Sequence, residues 1–131
     1  MFFVREDNKF TAPWQTGPEM QLLDNAGHAE GKIKTHRAGD LFDLLSISKE
    51  VVKPANQWNT FEIVADKHNL TFYANGENVL QTTFWNNEWK SLIAKSKFKT
   101  MADFGIYKNG KIALQDHGDN IWFRNIIIKR L

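Results

Sequence analysis

The sequence contains no cysteine, so no disulfide braces the fold and thiol nucleophiles or thiolate metal sites are excluded. The redox compartment stays open. No apolar run approaches the roughly 18 residues needed to span a membrane. Charge of one sign is lacking too: 17 Lys and Arg face 15 Asp and Glu, a formal net charge of +2. The one basic concentration, Lys95, Lys97 and Lys99, reads as a solvated face, and nucleic acid is not an expected partner. There is no phosphate-binding glycine loop and no nucleophile elbow. Internal repeats and low-complexity stretches are absent. The start, Met1 to Glu6, is too short and too soon charged for a signal peptide.

Aromatic residues are plentiful. Ten Phe and five Trp in 131 residues, with 42% hydrophobic residues overall, give a folded chain of one domain with a real core. Short strand-like runs dominate. Phe2 to Arg5 and Pro18 to Asn25 read as strands, and Ala38 to Ile47 reads as a strand more readily than a short helix, because Gly39 opens it and no cap fits. Trp58 to Asp66 and Leu70 to Asn75 form a hairpin. Asn75-Gly76 is the strongest turn signal, with Val79 to Phe84 returning. Asn86 to Lys95 is the one good helix, capped by Asn86 or Asn87, with Trp89, Leu92 and Ile93 as its apolar stripe. Asp103 to Tyr107 is strand-like. Ile112 to Gln115 and Ile121 to Ile128 flank a polar turn, Asp116 to Asn120. The last run is apolar on both faces and belongs in the middle of a sandwich. Arg124 within it needs a carboxylate or carbonyl partner. The pattern predicts an all-β sandwich with one small helix.

Side chains alternate along a strand. Glu19 and Gln21 therefore share one face, as do Gln115 and His117. If both strands lie in one sheet, a carboxylate, an imidazole and two amides line one concave surface, a mixture of donors and acceptors suited to sugar hydroxyls. The bland alternative is a face that simply meets solvent. Asp24 and His28 form a second pair, either a base with its orienter or two ligands for a divalent ion. Trp14, in the loop before Glu19, is the best-placed stacking platform. His36 and His68 read as surface loop residues.

Gly17-Pro18-Glu19-Met20-Gln21-Leu22-Leu23-Asp24-Asn25, followed by His28, resembles the central motif of the 3-keto-disaccharide hydrolase family. Val52-Lys53-Pro54 with Trp58-Asn59, Ser96-Lys97-Phe98, and Gly110 to Gly118 leading into Trp122-Phe123-Arg124-Asn125-Ile126 are similar to the same family, in order, from the first residues to the last. The resemblance implies a concanavalin-like jelly-roll β-sandwich of two antiparallel sheets. It also implies early strands that precede Phe2-Phe3-Val4-Arg5 in the family and are missing here, so residues 1–131 read as a single, partial domain. Its implied activity cleaves 3-keto-glycosides. The C3 ketone acidifies the C2 proton, a base removes it, the glycosidic oxygen leaves C1, and water adds back. His117 or His28 is then the base and Glu19 an acid or ligand. Gln21 and Gln115 position hydroxyls, and Asp24 orients a His or binds metal. A divalent ion is an optional enolate stabiliser, with Asp24, His28 and Glu19 as its candidate ligands. The competing reading is a non-catalytic carbohydrate-binding module, since such sandwiches also host lectins. The resemblance suggests a periplasmic, envelope or secreted setting. The glycoside, the anomer and the oligomeric state are not encoded in these patterns.

Overall fold

A computed structural model describes all residues, 1–131. Its regular structure is an antiparallel sheet of three strands, β1 (Phe61–Asp66), β2 (Asn69–Ala74) and β3 (Glu77–Thr83), and one helix, α1 (Asn87–Lys95). Three single-turn 3₁₀ segments, Pro13–Gln15, Ala29–Lys32 and Lys97–Thr100, complete it. No helix is long and apolar enough to cross a membrane.

The sheet follows its local signals. Asn75 and Gly76 both adopt positive φ, 51° and 84°, as the twist-matched two-residue turn between β2 and β3 demands. Asn75 is fixed further by its side chain, whose amide donates to Val51 O and to Asn59 Oδ1, each at 2.8 Å. The central strand β2 buries Leu70, Phe72 and Ala74 completely. The edge strand β1 is only partly covered: Phe61 packs against the core and Val64 is half-buried, while Glu62, Ile63 and Ala65 are exposed. An edge strand with an apolar residue in water is a template for further pairing.

The helix forms where its cap predicts. Asn86 Oδ1 accepts the Trp89 N–H at 2.7 Å, Glu88 lies in the first turn and Lys95 in the last, each matched to the helix dipole. Trp89 is buried, and its indole N–H donates to Gly105 O at 3.0 Å. Gly105 has φ of +66°, and a Cβ there would meet the Trp89 ring at 3.0 Å, so a glycine is required. The core joins β2, β3 and α1 to Phe2, Met20, Leu41, Phe42, Leu44 and Ile47 from the first half of the chain. Phe98 and Phe104 stack at 3.7 Å beneath them.

Several expected strands do not form. Ala38 to Ile47 is neither strand nor helix but a tight double turn. The buried Asp40 carboxylate accepts the backbone N–H of Arg37 at 2.9 Å and of Ile47 at 2.8 Å, which folds the segment around one side chain. Pro18 to Asn25 reduces to a bridge between Met20 and Leu41. Asp103 to Tyr107 is a turn that buries Phe104. Phe2 to Arg5 makes only one bridge, Val4 with Lys111.

The largest departure is the end of the chain. Ile121 to Ile128 takes no strand partner, and Trp122, Ile126, Ile127 and Ile128 are 63–85% exposed. The expected central strand therefore lies bare on both faces, because nothing in residues 1–131 supplies the strands to flank it. Arg124 finds a different partner from the expected carboxylate or carbonyl: its guanidinium lies 3.9 Å over the Trp58 ring. The all-β character is confirmed in its coarse form, antiparallel strands with one helix; the two-sheet sandwich is not formed by these residues alone.

Candidate functional site

The site is assembled by short irregular pairings. Val4 exchanges backbone hydrogen bonds with Lys111 at 3.0 and 2.9 Å, and Ala113 N–H donates to Met1 O at 3.0 Å. On its other side Phe2 N–H donates to Pro18 O at 3.1 Å. A Cβ on Gly17 would lie 2.6 Å from Val4 Cγ2, so the backbone contact needs glycine. Residues 1–4 thus form the seam between Gly17–Gln21 and Lys111–His117. Glu19 and Gln21 are held from beyond by the Asp40 turn: Phe42 N–H donates to Glu19 O at 3.0 Å, and Gln21 N–H to Asp40 O at 2.9 Å.

This scaffold sets two of the sequence candidates side by side. The His28 and His117 rings are 4.9 Å apart and inclined at 55°. Glu19 is half-buried. Burial raises its pKa above the ordinary carboxylate value of 4.5, and nearby Glu30 adds to the rise; the Met1 ammonium, Lys97 and His117 oppose it.

The two histidines differ in their hydrogen bonds. His28 Nδ1 accepts the backbone N–H of Glu30 at 3.2 Å, which caps the 3₁₀ turn that follows. With Nδ1 accepting, the ring proton belongs on Nε2, which makes His28 a donor there. The His117 ring has no protein hydrogen bond and is exposed, so it is free to accept a proton. The two rings offer a base and a donor, and Glu19 is a carboxyl whose pKa burial raises.

The other candidates are placed elsewhere. Asp24 Oδ1 accepts the Ala26 N–H at 3.0 Å and Asp24 O accepts the His28 N–H at 3.0 Å, so Asp24 shapes the turn that carries His28. Gln21 is buried; its Oε1 accepts the Leu22 N–H at 3.1 Å, and its Nε2 has no partner. Gln115 is exposed and lines a shallow polar cleft with Asp116, Asp119 and Asn120, separate from Glu19. Trp14 is exposed on the Pro13–Gln15 turn. Of the candidate ion ligands, Asp24 Oδ1 and His28 Nδ1 are engaged with backbone N–H groups, and no three His, Asp or Glu side chains stand close enough together to hold an ion.

Sequence reasoning missed two neighbours. Lys97, read as part of a solvated basic face, has its ammonium 4.0 Å over the Phe42 ring, and its charge opposes the rise of the Glu19 pKa. His36, read as a surface loop residue, is only 14% exposed in its side chain and lies between Asp43 and Glu30. The Ser96-Lys97-Phe98 motif was a signal for the first; nothing local signalled the second.

The 3-keto-alpha-glucoside-1,2-lyase-like domain model matches residues 1–129. The chain belongs to that family. It is 35% identical over 129 residues to the 3-keto-disaccharide hydrolase of Bacteroides thetaiotaomicron, an alignment covering 88% of this chain and 44% of that protein. It also superposes with a TM-score of 0.74 and 25% identity on a crystal structure from Parabacteroides distasonis, described provisionally as a glycosyl hydrolase, over 82% of this chain and 52% of that one. The chain thus spans about half the length of these relatives.

Proposed function

We propose that this chain carries the acid–base residues for cleaving 3-keto-glycosides by elimination and hydration. The observation that supports the reading best is the approach of the His28 and His117 rings to 4.9 Å; Glu19, half-buried and with its pKa raised by burial, is the acid of the reading. His117 removes the C2 proton, which the adjacent C3 ketone makes acidic. The bonding pair moves into a C2–C3 enolate, and the His28 Nε2–H donates to its oxygen. Collapse of the enolate restores the ketone, forms the C1–C2 double bond and breaks the C1–O bond. Glu19 supplies the proton for the departing oxygen, a task its raised pKa fits. Water then adds to C1, C2 regains a proton from the His117 imidazolium, which in its exposed position has exchanged with solvent, and water's second proton returns to Glu19. The sum is hydrolysis, with no oxidant or reductant consumed.

The finer architecture we propose is the concanavalin-like jelly roll, of which these residues form part. The uncovered β1 edge and the Ile121 to Ile128 run, apolar on both faces, support it.

Turnover in D₂O tests the chemistry. Elimination and rehydration place deuterium at C2 of the released 3-keto sugar. Release with the original hydrogen retained at C2 would rule the elimination out. Binding of the 3-keto-glycoside without any release would favour a carbohydrate-binding module.

A further inference from the structure

The chain holds two Asn-Gly pairs, Asn75-Gly76 and Asn109-Gly110, and no Asp-Gly pair. Such a pair is chemically labile. Glycine has no side chain to shield its backbone nitrogen, which can attack the carbonyl carbon of the preceding Asn side chain. The two pairs stand in opposite surroundings.

Asn75 is locked. Its side-chain amide donates to Val51 O and to Asn59 Oδ1, each at 2.8 Å, and its Oδ1 accepts the Thr60 N–H at 3.0 Å. Its own N–H donates to Thr60 O at 2.8 Å. The side chain cannot swing onto the Gly76 nitrogen without giving up three hydrogen bonds, which slows the reaction about a hundredfold against an unrestrained pair.

Asn109 is unrestrained. Lys108, Asn109 and Gly110 are all exposed, in a bend that leads into the Val4–Lys111 bridge. Neither the Asn109 side chain nor the Gly110 N–H makes a hydrogen bond within the protein. A bulkier residue cannot replace the glycine, because a Cβ at Gly110 would lie 2.5 Å from Phe3 C and 2.6 Å from Val4 O. The seam with residues 1–4 thus demands glycine directly after an unguarded Asn.

We propose that Asn109-Gly110 is a site of spontaneous modification whose product opens this seam. The Gly110 nitrogen bonds to Asn109 Cγ and the Cγ–Nδ2 bond breaks. The proton of the Gly110 nitrogen passes to the leaving nitrogen, which departs as ammonia. Water then opens the succinimide ring. Opening at Cγ leaves an ordinary aspartyl residue. Opening at the main-chain carbonyl carbon leaves an isoaspartyl link, whose backbone runs through Cβ and is longer by that carbon. No oxidant or reductant is consumed, and the net charge falls from +2 to +1. The added carbon enters directly before Gly110, whose backbone abuts Phe3 and Val4, and before Lys111, which exchanges hydrogen bonds with Val4 at 3.0 and 2.9 Å. The lengthened backbone pushes that pairing out of register.

Ageing the chain in mildly alkaline buffer tests the first half, with peptide mapping by mass spectrometry. Free peptides spanning residues 72–79 and 106–113 are aged beside it. Asn109 in the folded chain keeps pace with its free peptide, and Asn75 lags its own by about a hundredfold. Equal rates at the two sites in the folded chain, or an Asn109 that lags its free peptide as Asn75 does, overturn the proposal. The isoaspartyl form, enriched by ion exchange from the aged chain, tests the second half. Its urea midpoint falls below that of the fresh chain, whereas Asn109→Asp, with the same charge and no added carbon, keeps the fresh midpoint. An isoaspartyl form as stable as Asn109→Asp shows that the seam absorbs the added carbon and overturns that half. Neither readout depends on turnover.

Discussion

The His28 ring lies 4.9 Å from the His117 ring, although one sits in the loop after Asn25 and the other in the turn before Gly118. The two rings do not compete for one role. His28 is committed at Nδ1 to the Glu30 N–H, whereas His117 is uncommitted. His117→Ala should lower kcat by about 10²- to 10⁴-fold, the usual contribution of a positioned base. Because His117 is exposed, the urea midpoint should not change. A large drop in that midpoint would recast His117 as a structural residue.

Glu19 gives the site a signed pH dependence. Its folded pKa is raised, chiefly by burial, so it keeps its proton to higher pH than an ordinary Glu. Where Glu19 must donate, turnover falls as pH rises through the raised value. Stability follows the same sign. The contribution of protonated Glu19 is fully present below the unfolded value of about 4.5 and is lost as pH rises through the folded one. Glu19→Gln should therefore become more stable relative to wild type from acid toward neutral pH. Urea titrations of both proteins at a series of pH values measure the difference, and a difference independent of pH contradicts it.

Asp40 should prove the most sensitive polar position of the fold. It is fully buried, and its two oxygens accept the Arg37 and Ile47 N–H groups. Asp40→Ala leaves both donors unpaired, at about 1–3 kcal/mol each. Asp40→Asn keeps one acceptor and should cost less. Urea denaturation ranks the two variants, and equal losses would show that the side chain's volume, not its acceptors, holds the turn.

The bare terminal run should make the isolated chain sticky. Trp122 and Ile126 to Ile128 form an exposed apolar segment beside the uncovered β1 edge. The chain should bind a hydrophobic dye and self-associate with rising concentration. Replacing Ile126 and Ile128 with Lys should reduce both by severalfold. Light scattering reads the association, and an unchanged profile would place the sticky surface elsewhere.

What the sequence revealed depends on the range of the interaction involved. The Asn75-Gly76 turn and the Asn86 cap were legible because each needs only its neighbours. Ala38 to Ile47 was not, because one side chain, Asp40, overrides its strand-like pattern. Ile121 to Ile128 announces its apolarity, but a strand exists only with partners, and these residues have none. Alternation put Glu19 with Gln21 and Gln115 with His117, but neither segment forms a strand, so the faces it predicts do not exist as such. The approach of residues 1–4 to Lys111 is a long-range pairing with no signature of its own. His36 was unreadable for a plainer reason: its enclosure comes from Glu30, Phe42 and Asp43, and only the folded loops bring those three to it.

The most direct measurement is aglycone release from a 3-keto-glucoside beside its unoxidised parent. It should be run on this chain and on a version carrying the further residues that its relatives possess, each with and without His117→Ala. The account predicts release from the keto substrate only, and loss of that release in both His117→Ala proteins. Equal release from the unoxidised parent, or full release without His117, would contradict it.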